Sequence, residues 1–148
     1  MILSKSSMYG LRAAVLLAGK QDNGYTNIRE LSEQLDLSFH FLTKVLQRLT
    51  AAGLVESCKG PRGGVRLSEN PDEISFMDIV FAIEGSLNLN DCALGLHKCG
   101  DSSSCVLHEK WCGITKDILA LLRETTLARA YESGREIPDA QKEAVLTK

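Results

Sequence analysis

Apolar residues recur three and four positions apart through the first third of the chain, which is the spacing of amphipathic helices. The pattern predicts helices over residues 4–20, 28–35 and 38–52. The third helix has the sharpest apolar stripe, formed by Leu42, Val45, Leu46 and Leu49. Ser38 is a suitable N-cap for this helix, and Gly53 is well placed to end it in the left-handed conformation.

After Gly53 the pattern changes to short strand-like segments. Residues 54–58 and 65–67 predict two strands, joined at a tight and exposed hairpin tip by Lys59-Gly60-Pro61-Arg62-Gly63-Gly64. Ser75 is a suitable N-cap for a further helix, and residues 85–104 contain little that could form a core.

The helical pattern returns over residues 105–133 and is followed by a polar tail, 134–148, which we expect to be flexible. The helix carries apolar residues spaced alternately by four and three, with a threonine continuing the series: Leu107, Trp111, Ile114, Ile118, Leu121 and Thr125. Such a heptad-like seam packs either against a partner helix or against the protein's own core. The spacing alone favours neither.

The order of helix, short helix, capped helix and glycine-rich hairpin predicts a mainly α fold with a small β-hairpin wing. Residues 1–84 would form a winged helix–turn–helix, 85–104 a cysteine-bearing loop and 105–133 a long C-terminal helix. In this arrangement the third helix is the recognition helix, and its polar face suits base edges and phosphates of double-stranded DNA. The predicted DNA-binding residues are Ser38, His40, Thr43, Lys44, Gln47 and Arg48 in the helix, with Lys59, Gly60, Pro61, Arg62, Gly63 and Gly64 in the wing.

The competing interpretation of that polar face is an ordinary helical subdomain in contact with solvent. A whole-chain net charge of −2 also argues against a nucleic-acid partner. The charge is unevenly distributed, however. Nine basic and five acidic residues give residues 1–66 a formal charge of +4, whereas eight basic and fourteen acidic residues give the remainder −6. A basic first half with a cationic wing favours DNA binding.

The length of 148 residues fits one compact domain, and the five cysteines cannot all pair within the chain. No apolar run is long enough for a signal peptide or a membrane helix, so we expect a cytoplasmic protein with no membrane partner. We find no Walker loop, no Rossmann glycines and no nucleophile elbow. The sequence therefore predicts neither an enzyme nor a small-molecule substrate.

Three cysteines cluster in or beside the predicted loop: Cys92, Cys99 and Cys105. Their spacing differs from the paired ligands of zinc ribbons and from the cysteine runs of bacterial ferredoxins, so it supports a metal site only weakly. His108 and Cys112 share a helix face with Cys105, and each is a candidate fourth ligand. His97 is a further candidate, while Cys58, at the base of the wing, is interpreted as a small packing residue.

Taken together, these motifs resemble the Rrf2 family of bacterial winged-helix regulators, which includes IscR, NsrR and RirA. The resemblance extends to about residue 135. It depends on Tyr9-Gly10-Leu11-Arg12-Ala13, residues 49–55, the wing Gly60-Pro61-Arg62-Gly63-Gly64, and the three cysteines followed by Leu107, His108 and Trp111.

The resemblance implies a homodimer joined through the long C-terminal helix, with Leu107, Trp111, Ile114, Ile118 and Leu121 at its interface. It also implies an iron–sulfur cluster held by Cys92, Cys99 and Cys105. In IscR-like members a histidine shortly after the third cysteine is a ligand of a [2Fe–2S] cluster, and His108 matches it. In NsrR-like members an acidic residue of the partner's first helix is the ligand, but Met8 and Arg12 stand in that region here. A [2Fe–2S] cluster is therefore favoured over a [4Fe–4S] cluster.

The sequence thus predicts a homodimeric DNA-binding transcription regulator, a repressor, whose cluster senses iron, redox or nitric oxide status. A second hypothesis keeps the winged helix but places control in thiol oxidation or in a protein partner. A third is an electron-transfer iron–sulfur protein, which leaves the basic helix and wing unexplained.

Overall fold

The computed structural model describes residues 2–87, 89 and 106–134. Within these ranges the chain forms helices and one β-hairpin, with a short 3-10 turn at Gln21–Asn23. In chain order the elements are α1 Lys5–Ala18, α2 Ile28–Gln34, α3 Phe39–Ala51, β1 Val55–Cys58, β2 Gly64–Leu67, α4 Phe76–Glu84, α5 His108–Glu124 and α6 Leu127–Ser133. The predicted mainly α architecture with a hairpin wing is confirmed.

The first four helices begin where the sequence places a polar cap. Each cap accepts a hydrogen bond from a backbone amide of the first turn: Ser4 in α1, Asn27 in α2, Ser38 in α3 and Ser75 in α4. Ser75 forms a full capping box with Asp78. In α2 the Asn27 side chain accepts from the amide of Arg29, and Glu30 pairs with Lys20, whose Nζ lies 2.7 Å from its carboxylate.

The hairpin is tied to the helix–turn–helix by backbone pairing. β1 and β2 are antiparallel, with Val55 opposite Leu67 and Cys58 opposite Gly64. Val65 also pairs with Thr26, just before α2. The amide of Thr26 donates to the carbonyl of Val65 at 2.8 Å, and the return bond is 2.9 Å long. These two bonds fix the base of the wing against the segment that leads into α2.

The paired glycines of the wing allow this close approach. A side chain at Gly64 would overlap the backbone carbonyl of Thr26, and one at Gly63 would overlap the carbonyl of Cys58. Backbone atoms cannot move aside as the end of a flexible side chain can. The structure therefore requires glycine at both positions, because each residue lies directly against a backbone carbonyl of a neighbouring segment.

The core is organised around α1, whose Ala13, Ala14 and Leu17 are buried. This helix packs against α3, α4 and α6. Small alanine side chains let neighbouring helices approach α1 closely. The same cluster of buried residues includes Leu127 of α6, so the far end of the chain completes the core of the first half.

The sequence predicted one helix over residues 105–133, and this was wrong. The structure has two helices, separated at Thr125, whose backbone is extended. Thr125 and Thr126 form a short bridge with the segment before α4: the amide of Phe76 donates to Thr125 at 2.9 Å, and the amide of Leu127 donates to Ile74 at 2.9 Å. These bonds to another part of the chain replace helical ones, and the Thr126 side chain then caps α6.

Most of the predicted cysteine loop, 85–104, and nearly all of the predicted tail, 134–148, lie outside the described residues. Among the described helices none is both long enough and apolar enough to cross a membrane.

The close packing of Gly64 against Thr26 predicts a large effect of a single methyl group. We expect Gly64→Ala to lower the free energy of unfolding by about 2 kcal/mol, because the backbone must shift to admit the new atom. The matched control is Gly113→Ala in α5, where an added side chain meets nothing. This control should raise stability by up to about 1 kcal/mol through helix propensity. Urea denaturation measures both, and an equal effect in the two variants would contradict the packing argument.

Candidate nucleic-acid interface

The outward face of α3 carries the residues that the sequence assigned to DNA. Ser38, the cap of the helix, is exposed, as are His40, Lys44, Gln47 and Arg48, while Thr43 is half-buried. The opposite face is the buried leucine stripe, where Leu42 and Leu49 are fully covered. The helix therefore presents one polar face to solvent and fixes its orientation through the other.

Arg48 has a structural partner. Its Nη1 donates a hydrogen bond of 2.8 Å to the carbonyl oxygen of Ile83, in the last turn of α4. This bond links the C-terminal part of α3 to the end of α4. Arg48 is thus a link between two helices as well as a candidate DNA contact.

Sequence reasoning missed an aromatic residue at the start of α3. Phe39 is 43% exposed, and the guanidinium carbon of Arg29 lies 5.3 Å from the centre of its ring. The backbone carbonyl of Phe39 accepts a bond of 2.7 Å from the Thr43 hydroxyl. The sequence carried no signal for this exposure, because Phe39 lies three residues before Leu42 and seven before Leu46 and so continues the apolar stripe by spacing.

The wing presents Lys59, Pro61 and Arg62 to solvent at its tip, where Gly60 is also exposed. Gly63 and Gly64 are half-buried against backbone. Lys59 and Arg62 therefore place two positive charges at the end of a narrow hairpin. A hairpin of this shape can lie along DNA phosphates or enter a groove of DNA.

Arg66, at the base of the wing, has a different role. Its guanidinium is 2.9 Å from the carboxylate of Glu56 and 4.7 Å from the ring centre of Tyr25. The hydrogen bond to Glu56 is the main reason that the pKa of Arg66 is raised above its ordinary value, with a further contribution from Tyr25. This cluster joins β1, β2 and the segment before α2.

A cleft separates the start of α3 from the wing. Its lining includes Asn27, Phe39, Cys58, Lys59 and Gly60. The recognition helix and the wing therefore share one continuous surface, as a DNA duplex in contact with both would require.

The start of α5 carries two metal-binding side chains. The Nε2 of His108 and the Sγ of Cys112 lie 3.8 Å apart, one helical turn from each other, and Cys112 is half-buried. The predicted ligands Cys92, Cys99 and Cys105, together with His97, lie outside the described residues. Within the part of the chain that the structure describes, no group of three or more histidine, cysteine or acidic residues could hold a metal ion.

The interpretation of Cys58 as a packing residue was wrong. It is exposed at the end of β1, and its thiol is 3.5 Å from the carbonyl oxygen of Lys59. Alternation along the strand explains this position: Val55 faces the core, so Cys58, three residues later, faces outward.

Among the described residues, three members of the heptad-like seam are exposed. Leu107, Ile114 and Leu121, at intervals of seven, are 49%, 51% and 64% exposed. α5 packs against α4, and its buried residues are Thr115 and Leu122. Trp111 and Ile118 of the predicted seam are half-buried.

The end of α4 is a junction between the two halves of the molecule. The backbone amide of Ser4 donates to the Glu84 carboxylate at 2.9 Å, and the next residue, Gly85, begins the predicted cysteine loop. Partial burial raises the pKa of Glu84, but polar contacts from Ser7 and Ser4 outweigh it and leave the pKa below its ordinary value. A charged Glu84 therefore joins the end of α4 to the start of α1.

A known protein family matches nearly all of the described chain. Residues 3–133 match the family model named Rrf2, described as iron-dependent transcriptional regulators. The chain belongs to the Rrf2 family. Its resemblance to that family, noted from the motifs, is therefore confirmed.

Individual relatives agree with this assignment. The transcriptional regulator IscR of Aliivibrio salmonicida is 30% identical over 122 residues, covering 82% of this chain and 72% of that protein. The structure of CymR, the global cysteine regulator of B. subtilis, has a TM-score of 0.76 at 28% identity and covers 90% and 98% of the two chains. The structure of IscR from T. potens has a TM-score of 0.71 at 26% identity, with 98% and 96% covered.

Membership of the Rrf2 family makes the chain a transcription regulator with a DNA-binding winged helix. Which residues touch DNA stays a prediction, as does each proposed metal ligand.

The wing predicts a specific electrostatic signature. We expect Arg62→Ala to weaken DNA binding about tenfold on every sequence, and to reduce the slope of log K against log salt concentration by about one for each wing. Arg129→Ala is the matched control, since it removes the same charge from an exposed site on α6. Fluorescence anisotropy over a series of salt concentrations measures both. Equal slopes for Arg62→Ala and the wild type would remove Arg62 from the phosphate contacts.

Proposed function

We propose that the protein is a homodimeric transcription regulator whose affinity for its operator depends on an iron–sulfur cluster held by Cys92, Cys99, Cys105 and His108. The observation that carries this proposal is the position of His108 as the first residue of α5, directly after a segment with three cysteines. The thiol of Cys112 lies one helical turn further along, 3.8 Å from the Nε2 of His108.

The donor set fits such a group. Two ligands of one tetrahedral metal ion, at typical metal–sulfur and metal–nitrogen bond lengths, lie about 3.6 Å apart. The Sγ of Cys112 and the Nε2 of His108 are separated by 3.8 Å, so a metal ion beside one of them is also within reach of the other, and each is a candidate for the single fourth position. His108 is our fourth ligand by analogy with IscR-like proteins, which also favours [2Fe–2S] over [4Fe–4S], and Cys112 is the alternative. Such a cluster, when bound, supplies oxidant- and nitric-oxide-sensitive redox chemistry.

The chain itself offers a route from the cysteine segment to the DNA-binding surface. Gly85 follows the last turn of α4, in which the carbonyl of Ile83 accepts the Arg48 hydrogen bond and the Glu84 carboxylate accepts that of Ser4. A change in the segment after Gly85 would therefore act on an element bonded directly to α3. In our proposal Arg48 positions α3, while Thr43, Lys44 and Gln47 contact bases.

A second copy of this chain is the proposed partner of α5. The exposed residues Leu107, Ile114 and Leu121 repeat at intervals of seven, which is the geometry of a helix that packs on another helix. α5 already packs against α4 through its other face. A dimer formed in this way would present two recognition helices to half-sites about one helical turn apart.

The dimer proposal predicts the effect of a charge in the seam. We expect Ile114→Asp to weaken dimerisation by about 100-fold, because a carboxylate would be buried without a partner at a cost of roughly 3 kcal/mol. Lys116→Asp is the control, since it introduces the same group at an exposed position outside the seam. Analytical ultracentrifugation gives the dissociation constants. Unchanged dimerisation of Ile114→Asp would contradict the assignment of this face.

The cluster proposal predicts distinct spectra for three variants prepared anaerobically. Cys99→Ala should lose the visible absorption, bound iron and sulfide, yet remain a folded dimer. His108→Ala should bind less iron or show a shifted spectrum, whereas Cys112→Ala should resemble the wild type. The reverse result for His108 and Cys112 would make Cys112 the fourth ligand. Wild-type protein without iron and sulfide after reconstitution would contradict the proposal.

Control by thiol oxidation is the second candidate function. It is favoured by the exposed thiol of Cys58, which lies in the cleft between wing and α3, and by the structural similarity to CymR. This candidate predicts that operator binding is unaffected by removal of iron and is lost on mild oxidation. The cluster proposal predicts that removal of iron alone changes binding.

A further inference from the structure

Phe39 is an exposed aromatic residue whose position is not explained by packing. It is the first residue of α3 and is not among the buried residues of that helix. It precedes Thr43 by four residues and Gln47 by eight, so all three share one face of the helix. Phe39 thus extends the proposed base-contacting surface to the N-terminal end of α3, the part of a recognition helix that approaches base edges.

Arg29 holds the ring from one side. Its guanidinium lies over the Phe39 ring at 5.3 Å, a cation–π contact between α2 and α3. Phe39 also lines the cleft between α3 and the wing, together with Lys59 and Gly60 of the wing. Phe39 is therefore positioned between the two parts of the molecule that are expected to contact DNA.

We propose that Phe39 contacts the C5-methyl group of a thymine in the major groove of each operator half-site, and that Arg29 is the positioning residue for the ring. This inference rests on the proposed binding of DNA through α3. A phenylalanine ring has no hydrogen-bonding group, and the thymine methyl is the apolar feature that bases of natural DNA present in the major groove.

The cation–π contact also distinguishes this mode from insertion between base pairs. An aromatic ring inserted fully between two base pairs has a base against each of its faces. Arg29 covers one face of Phe39, which leaves the other face and the ring edge for a contact. An edge or single face matches a methyl group that projects into the groove.

The test uses anaerobically prepared full-length protein and a duplex selected from random sequences by the wild type. Each thymine of that duplex is then replaced singly by deoxyuridine, which removes only the methyl group. We expect the wild type to bind about fourfold more weakly at one thymine per half-site, as the loss of one apolar carbon contact implies. Phe39→Ala should bind the unmodified duplex about tenfold more weakly and be insensitive to the same replacement.

Two further variants isolate the contact. Thr43→Ser removes the other methyl group on this face of α3 and should keep the wild-type sensitivity at that thymine. Arg29→Lys keeps the charge but not the planar stacking, so it should keep the salt dependence and reduce the methyl effect. Because Phe39 is exposed, its variants should retain the wild-type melting temperature.

Two results would overturn the assignment of Phe39. One is a wild-type scan with no methyl-sensitive thymine, and the other is a Phe39→Ala scan that keeps the wild-type sensitivity. Failure of the selection to enrich any duplex would instead contradict sequence-specific DNA binding itself, and this inference with it. Specific binding combined with an unchanged scan refutes the role of Phe39 alone.

Discussion

The pairing of Thr26 with Val65 is the constraint on which the DNA-binding surface depends. Two short backbone hydrogen bonds hold the wing strand against the segment that leads into α2, and Gly64 has no side chain so that the strand can lie there. The distance from wing tip to recognition helix is thereby set by backbone atoms. Side chains at the tip, such as Arg62, can then vary in conformation without moving the frame.

A second junction, at the end of α4, connects this frame to the rest of the chain. Arg48 of α3 donates a hydrogen bond to the carbonyl of Ile83 in the last turn of α4. The Glu84 carboxylate in the same turn accepts a hydrogen bond from the amide of Ser4, at the start of α1. Because both bonds involve the last turn before Gly85, the helices of the DNA-binding half meet where the cysteine segment begins. A regulator built in this way needs no long-range path between its proposed cluster and its recognition helix.

The sequence predicted the features that local chemistry decides. Caps such as Ser38 and the wing glycines depend on near neighbours, and they were found where expected. The break between α5 and α6 at Thr125 depends on hydrogen bonds that join Thr125 to Phe76 and Leu127 to Ile74. The sequence did not indicate this break, because Thr125 continues the heptad spacing of the helix. The positions of the proposed site residues followed from helix periodicity, whereas the partner of Arg48 and the stacking of Arg29 on Phe39 required the tertiary structure.

The docking of α6 has a consequence for how the protein is made. Leu127 belongs to the same buried cluster as residues of α1, although the two elements lie near opposite ends of the chain. A ribosome releases α1 long before α6, so the first half cannot complete its core until α5 and the cysteine segment have emerged. The DNA-binding half is therefore finished only when the segment proposed to hold the cluster is already present. A prematurely terminated chain would not yield a fully folded DNA-binding fragment without that segment.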